Sequence, residues 1–551
     1  MAKIKRPRKL RKIARWLEIK GYSHLDRPRR LVVQNKIDKN AFSYVKNYVE
    51  DPEKVAKYMF YPFIGFDIVE RRAGKINSFI YETERLQKEL KTASTEEEKK
   101  ELQRKLEESL ERKSIKKPRP IRYAAHMDGY IYSYYAKEIL TPLYEEKIKS
   151  LGLDDEVLAY RVAPPDEDSH RKNNCTMAKN VFDEIKRRNG KCIALAFDIA
   201  SFYDHIDHKN LKIEWASLLG KEQLPLDHYN LFKSLTNYSF IDIKEICYFF
   251  NRENQNICNK NCEKCTNPET RGFPKVLFKK TEDFRAFRDW YKIQYNHKFY
   301  KNPGLVDKNG KQLKRPFGIP QGSAMSALLS NIYMMPFDGK MKELANSIGA
   351  LYRRYSDDIL FICDYENKDK VITAVHEAIK ERGESLEIHP IEEGNKYSKS
   401  QCYNFMDKTI KQRPLQYLGF SFDGENIEIR GSSLARYLRK SKRAITAAKE
   451  NAKVKLRKMH GSGIQIQEKH KKLYRKTLYS RYTHLGKRNF ISYAYRAFVE
   501  PDNKIIKKQI KHHFERLEEM LTIADSEMEK LCNLLLKQKA TTDDEFNAKT
   551  S

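Results

Sequence analysis

The sequence has no long hydrophobic run. Its nearest approach, YMFYPFIGFDIV at 58–69, is shorter than the ~18 apolar residues that suggest a membrane span, and it contains an aspartate. A membrane partner is therefore not expected. The charged start MAKIKRPRKLRKIARW leads into no apolar core, which argues against a secretory signal. Cysteine is scarce: nine in 551 residues give no disulfide framework and suit a reducing cytoplasm. Acidic residues are also in deficit, with 75 Asp and Glu against 107 Lys and Arg and a net charge of +32, so the expected partner is a polyanion, most simply nucleic acid. What the chain does have is 40% hydrophobic residues and 11% aromatics, enough to build the cores of about two to four domains.

The pattern changes twice along the chain. Residues 1–117 mix a basic start with aromatic-rich segments and end in a stretch without Pro or Gly, with leucines at 86, 90, 102, 106 and 110. This predicts a charged helical hairpin broken near Thr92 to Thr95, where STEEE has the form of a helix start. Such a hairpin can serve as a coiled-coil arm for assembly or pack on its own domain. From 118 to 430, short apolar runs alternate with helical segments and turns, which is α+β character. From 431 to 551 the sequence is basic and almost continuously helical, ending in ATTDDEFNAKTS, which reads as a frayed tail.

Two segments in the middle region carry carboxylates at strand ends. KCIALAFDIASFYDHIDHKNL opens with an apolar run, 192–197, that reads as a buried strand ending at Asp198, and then turns into a helix. ALYRRYSDDILFICDY reads as two strands, 350–355 and 359–363, joined by a turn holding Ser356, Asp357 and Asp358. Turn preference alone would explain an isolated SDD. Here both arms look buried, so the tip faces other parts of the fold and its charge needs neutralising. Three carboxylates from two separate strands suit a pair of divalent ions about 3.5–4 Å apart, the arrangement for in-line attack on phosphorus, and hard oxygen ligands select Mg²⁺. Between them, RPFGIPQGSAMSALLSNIYMMPF at 315–337 places Gly318, Pro320 and Gly322 in a tight loop before a helix expected from about Ser323, where small residues let a nucleotide approach the backbone.

In that order, FDIASFYDHI, GIPQGSAMSALLSNIYM and YSDD resemble the A, B and C motifs of reverse transcriptases. VLAYR at 157–161 is similar to a fingers motif of bacterial members, and QYLGFSF at 416–422 to the hairpin that grips the primer. The resemblance implies a right-hand polymerase fold: fingers and palm over 118–430, then a helical thumb and a C-terminal helical domain. It also implies RNA-directed DNA synthesis from dNTPs. Carried over, Asp198, Asp357 and Asp358 become the catalytic carboxylates that bind two Mg²⁺ ions, with the Ile199 carbonyl as a further ligand. Tyr203 falls where the family places an aromatic gate against a ribose 2′-hydroxyl, although a packed core tyrosine is the plainer alternative. Gln321 would lie by the incoming nucleotide. Arg122 is the candidate for its phosphates, with Lys116, Lys117 and Arg119 as competitors. A lysine of the later palm motif could be Lys396 or Lys399, but the spacing after LEIHP departs from the usual pattern and leaves that role unassigned.

A second constellation, CYFFNRENQNICNKNCEKC, places Cys247, Cys258, Cys262 and Cys265 in one polar insertion. The spacing suits a structural zinc, but it equally suits reduced thiols on a surface loop; an iron-sulfur cluster would require a barrel fold that the chain does not signal. Further on, LYSRYTHLGKRNFISYAYRAF at 478–498 alternates aromatic and basic residues, which can clamp single-stranded nucleic acid or pack tyrosines into their own domain. No nuclease, integrase or RNase H segment is recognisable. The arrangement is most similar to stand-alone bacterial enzymes of the retron, group II intron and abortive-infection or phage-defence kind, which implies a cytoplasmic enzyme with a noncoding RNA as template or scaffold. Template-independent or protein-primed DNA synthesis is the alternative, and an idle RNA-binding scaffold is the rival from another class. The helical arm and tail are compatible with a homo-oligomer.

Overall fold

The computed structural model describes residues 32–33, 36–37, 39–69, 86–87, 89–90, 95, 98–99, 101–106, 118–161, 174–243, 245–246, 249, 281–294, 300–301, 315–392, 398–406, 413–496 and 504–550. The chain divides into two compact bodies. One comprises Met1–Pro164 and Ala194–Cys402, the other Pro165–Ile193 and Tyr403–Ser551.

The first body is built on two four-stranded sheets. In one, β1 (Phe63–Val69) pairs antiparallel with β2 (Pro118–Tyr123) and parallel with β4 (Ser239–Asp242), and Tyr300–Lys301 closes the edge. Gly65 in β1 is required by close approach: a Cβ there would lie 2.7 Å from the Phe240 ring and 3.1 Å from Arg122 Nη1. Ile64, Phe66, Ile241, Phe287 and Tyr291 fill the core beneath this sheet.

The other sheet carries the acidic segments. β3 (Ile193–Asp198) is the apolar run expected from the sequence, and it lies beside β6 (Asp358–Cys363), with β5 (Leu351–Tyr355) outside and β7 (Gln401–Asn404) on the opposite flank. Both β3 and β6 are apolar on successive residues because both of their faces are covered. Four helices of this body are α1 (Phe202–His205), α2 (His208–Leu218), α3 (Leu226–Thr236) and α4 (Ser326–Ser347). The first half of α4 is buried on every side, from Leu328 through Met335, so this helix forms the core rather than an amphipathic cover. α5 (Lys368–Arg382) follows β6 and packs on α4.

Within this core lies a fully buried ion pair. Arg354 on β5 grips Asp338 on α4 through two bonds, Nε–Oδ1 at 2.6 Å and Nη2–Oδ2 at 2.7 Å. The Tyr352 hydroxyl donates to the same carboxylate at 2.7 Å, and Arg354 Nη1 donates to Asn331 Oδ1 and to the Ser356 carbonyl. All the guanidinium's faces are thus committed, which is the condition under which a buried charge is tolerated.

In the second body, β8 (Leu415–Tyr417) and β9 (Phe420–Phe422) form a hairpin whose turn, Leu418–Gly419, has positive φ at both residues, 46° and 94°. β10 (Ile427–Ile429) extends that sheet, and the Phe182 ring of the helix Asn174–Arg187 stacks on Phe422. α6 (Gly431–Gly461) packs against α9 (His513–Thr550), with α7 (Lys476–Tyr482) and α8 (Phe490–Arg496) between them in sequence. Ile445, Leu456, Leu478, Leu517, Leu521 and Met528 form its core. Lys449 and Lys453 both reach Glu527 across it, while Arg436, Arg439, Lys440, Lys442, Arg457 and Lys458 face solvent.

Two local expectations need adjustment. The final residues are not frayed, since α9 runs to Thr550 through a segment with no Pro or Gly to stop it. In 478–498 a loop separates two short helices; Tyr437 stacks on Phe490 and Tyr479 on Phe514, while Tyr495 is exposed. Of the charged hairpin only fragments are described; there Glu98 N–H donates to Thr95 Oγ1, the cap that STEEE implies.

Replacing Asp338 with Ala leaves Arg354 buried without its counter-charge. The expected loss is about 3–5 kcal/mol of stability, read from the urea midpoint at unchanged slope; an unmoved midpoint would show that the pair does not hold this core together.

Candidate active site

The two acidic segments meet where β3 ends and the β5–β6 hairpin turns. Asp198 is the last residue of β3, and the Ile199 N–H donates to the Asp357 carbonyl at 3.4 Å. The hairpin is tighter than the sequence suggested. Tyr355 pairs with Asp358, so only Ser356 and Asp357 form the turn and Asp358 is the first residue of β6. Ser356 takes the left-handed conformation with φ 62°, held by Arg354 through its carbonyl. Asp358, one residue further along the strand, is exposed. Among the described residues no three His, Cys, Asp or Glu side chains converge as a ready-made metal cage.

Asp198 and Asp357 share an electrostatic environment. Burial holds the Asp357 carboxyl above the usual carboxylate range and the negative charge of Asp198 adds to this, while Arg119 and Lys399 oppose it. Lys399 Nζ lies 2.7 Å from Asp198 Oδ2 and 2.7 Å from His389 Nε2. Neither His389 nor the pairing of Lys399 was legible in the sequence, because the usual spacing after LEIHP is absent. Lys396 lies outside the described residues, as do the four cysteines of the insertion, Cys247, Cys258, Cys262 and Cys265. The segment that carries Lys399 is tied to β3, since Asp198 N–H donates to the buried Ser400 hydroxyl at 3.1 Å and His389 N–H to the Asp198 carbonyl.

The glycine loop between these segments packs on both sides of the site. At Gly318, φ is 95° and a Cβ would sit 2.8 Å from the Asp204 carbonyl oxygen; at Gly322, φ is 110° and the obstacle is the Arg122 carbonyl at 3.0 Å. The helix starts at Ser326, three residues later than expected, because the Gln321–Met325 segment forms turns and Ser326 Oγ donates to the Pro320 carbonyl. Gln321 and Arg122 are brought together, the Arg122 N–H donating to the Gln321 carbonyl at 2.8 Å. The Arg122 guanidinium is packed over the Phe240 ring at 3.8 Å and is only 8% exposed, whereas Arg119 on the same strand is exposed and acts on Asp357.

Tyr203 stands on α1, five residues beyond Asp198. Its carbonyl accepts from Ile319 N–H in the glycine loop, and burial pushes its phenol far above the ordinary tyrosine value, so the hydroxyl keeps its proton. Burial is the main cause, with smaller electrostatic contributions from Tyr160, Ser330 and Ser356.

The donor chemistry fits a divalent ion. Asp198 and Asp357 are hard oxygen donors, Asp198 already takes an ammonium partner, and the raised Asp357 carboxyl is relieved by any cation placed between them. Mg²⁺ suits such a site because it binds through few protein carboxylates and keeps open positions.

Gly318→Ala would force a Cβ into the Asp204 backbone at a φ that alanine disfavours. The expected cost is about 1–3 kcal/mol, measured by chemical denaturation; wild-type stability in this variant would mean that the loop yields without penalty.

Residues 274–422 match the family model described as reverse transcriptase (RNA-dependent DNA polymerase). That span holds Gln321, Asp357, Asp358, Lys399 and the QYLGFSF hairpin, and it begins after Asp198 and Tyr203. No curated protein matches the sequence. Among solved structures, the chain is similar to apo telomerase from Candida tropicalis, at 12% identity over 59% of this chain and 48% of that one, with a TM-score of 0.32. It is similar also to telomerase from Candida albicans in complex with a fragment of telomeric RNA (14%, 73% and 52%, 0.31) and to the sicinivirus 3Dpol RNA-dependent RNA polymerase (9%, 60% and 52%, 0.28). The chain spans about half the length of these solved structures. Its mixed helix-and-sheet architecture is a right-hand polymerase fold, and the matched segment is similar to a reverse transcriptase domain.

Proposed function

We propose that this protein is a reverse transcriptase that copies RNA into DNA from dNTPs at Asp198, Asp357 and Asp358. The observation that carries this is the junction of β3 with the β5–β6 hairpin, where burial and the charge of Asp198 act on Asp357 and Lys399 pairs with Asp198. Asp198, Asp357, Asp358 and the Ile199 carbonyl would hold two Mg²⁺ ions, which supply activation of a primer hydroxyl and neutralisation of the triphosphate. The chain's own residues do the rest. Arg119, with Arg122 behind it, adds positive charge toward the triphosphate. Gln321 and the glycine loop present backbone to the nucleotide, and the Tyr203 ring excludes a ribose 2′-hydroxyl.

The partner in this reading is a noncoding RNA, as template or scaffold. The net charge of +32 and the exposed cationic face of α6 support a long polyanion, since each neutralised phosphate releases counterions. The basic and aromatic segment at 478–498, together with KGYSHLDRP near the start, supports a bacterial enzyme of the cytoplasm acting in antiphage defence. The fingers and palm would occupy 118–430, after an N-terminal extension over 1–117, with the thumb and C-terminal helical domain over 431–551. Among the described residues no helix is long and apolar enough to cross a membrane.

The test is to purify the protein with its bound RNA, sequence that RNA, and supply labelled dNTPs and Mg²⁺. DNA complementary to the bound RNA is expected, and it should fall by at least about 100-fold in the Asp357→Asn/Asp358→Asn variant, the order of loss seen when transition-state charge stabilisation is removed. DNA without complementarity would point to untemplated or protein-primed synthesis. No incorporation under any condition would leave an RNA-binding scaffold.

A further inference from the structure

In the second body an open cleft of about 530 Å³ lies between α6 and the segment that follows it, where the short helical turn Glu468–Lys471 runs on into α7. Pockets of roughly 300–1,000 Å³ suit small ligands. One wall is α6 itself, which presents Ala444, Ala448 and Ala452, so a flat group can come close to the helix. Leu456 and Leu478 are buried at the floor. The opposite wall is tied to α9: Leu473 N–H donates to Asp525 Oδ1 at 2.8 Å, and Arg475 grips Glu518 and Asp525 at 2.6 and 2.7 Å. Tyr474 stands on this wall, 72% exposed, with no ring contact or hydrogen bond from its side chain among the described residues.

Charge decides what the cleft can hold. Lys455, Lys469, Lys472 and Arg481 line it, and no Asp or Glu does. All four are exposed and have no carboxylate partner among the described residues. Carboxylates are close by, but they serve the cations beside the cleft: Lys449 and Lys453 take Glu527, Lys471 takes Glu468, and Arg475 takes Glu518 and Asp525. A counter-charge for the other four is left to a ligand. The cleft also lies on the far side of α6 from Arg439 and Arg457, since Ala448 is nine residues from each, two and a half turns at about 3.6 residues per turn. We infer that this cleft is a separate site for an unpaired stretch of the partner RNA, with a base against the alanine wall and Tyr474 and the flanking phosphates on Lys455, Lys469, Lys472 and Arg481. The inference rests on the reading of this protein as one that holds RNA. Single strands are bound in this way, by cationic grooves whose aromatic rings stack bases of any identity. The cleft has room for a nucleotide and not for a duplex, whose bases are already stacked and paired.

The test irradiates the full protein with a labelled oligo(rU) in which some uridines are 4-thiouridine, maps the crosslinked peptides by mass spectrometry, and measures affinity by fluorescence anisotropy. Wild type is compared with Lys469→Ser/Lys472→Ser, with Tyr474→Ala and with a charge-matched control, Lys209→Ser/Lys370→Ser, at exposed positions of the first body. Wild-type crosslinks are expected within 444–459 and 469–481. The cleft lysine pair should lower their yield by at least about tenfold and make the log–log salt dependence shallower by about 1.4, the share of two phosphate contacts on a single strand. Tyr474→Ala should weaken the strand by about fivefold or more, the effect of one stacked base, while the control matches wild type. An rU·rA duplex should bind the cleft variants and the control alike, within about twofold. Crosslinks confined to other segments, or undiminished in the cleft lysine pair, would overturn the inference. Competition by uridine 5′-monophosphate at the affinity of the strand would overturn it too, because the cleft would then take a free nucleotide. A wild type that extends oligo(dT) on poly(rA) but gives no crosslink in the cleft would sink the inference and leave the polymerase reading intact; one that binds no RNA would sink the RNA-partner reading with it.

Discussion

The buried pair of Arg354 and Asp338 is the constraint on which the rest of this site depends. Desolvating a guanidinium and a carboxylate is costly, and their attraction offsets that only when the remaining donors are also satisfied. In this protein the remaining donors are spent on positioning. Arg354 Nη1 holds the Ser356 carbonyl and with it the turn that presents Asp357, and the Arg354 backbone exchanges bonds with Glu156 and Leu158, at the entrance to the segment that carries Tyr160. Asn331, which receives the same guanidinium, passes the restraint to the Ala159 carbonyl. One side chain thus links α4, the β5–β6 hairpin and the VLAYR segment.

The acidic residues are presented by strained backbone on that rigid base. Ser201, three residues after Asp198, and Ser356, directly before Asp357, both have positive φ, 46° and 62°. Each lies at the boundary between a buried strand and the element that turns away from it. A softer core would let these turns relax and the two carboxylates separate. Burial and mutual repulsion, which raise the Asp357 carboxyl, therefore act as stored demand for a cation.

Much of this was legible in the sequence where one physical signal dominated. The run CIALAF reads as a buried strand because both faces are apolar, and β3 occupies it with a shift of one residue. Gly318 and Gly322 were singled out as a tight loop, and the structure gives the reason in their φ values and the backbone beside them. Other features depend on tertiary contacts that no local pattern encodes. The α4 start slipped from Ser323 to Ser326 because turns before it compete for the same residues. Asp358 moved from turn to strand because register, not composition, sets the length of a hairpin loop. Spacing left the later lysine open between Lys396 and Lys399; Lys399 contacts Asp198, a tertiary pairing that no local pattern encodes, and Lys396 lies outside the described residues. Arg354 looked like one more basic residue in a basic chain, and its complete burial is visible only when α4 is in place.

The central claim is that Asp198 and Asp357 form one cation site, and the most direct test is to titrate the purified protein with Mn²⁺ as a spectroscopic stand-in for Mg²⁺, following free ion by electron paramagnetic resonance. Binding by the wild type should weaken by at least about tenfold in both Asp198→Asn and Asp357→Asn, and be unchanged in Asp364→Asn, a carboxylate outside the site. Equal binding by all four proteins would show that the two carboxylates do not share an ion.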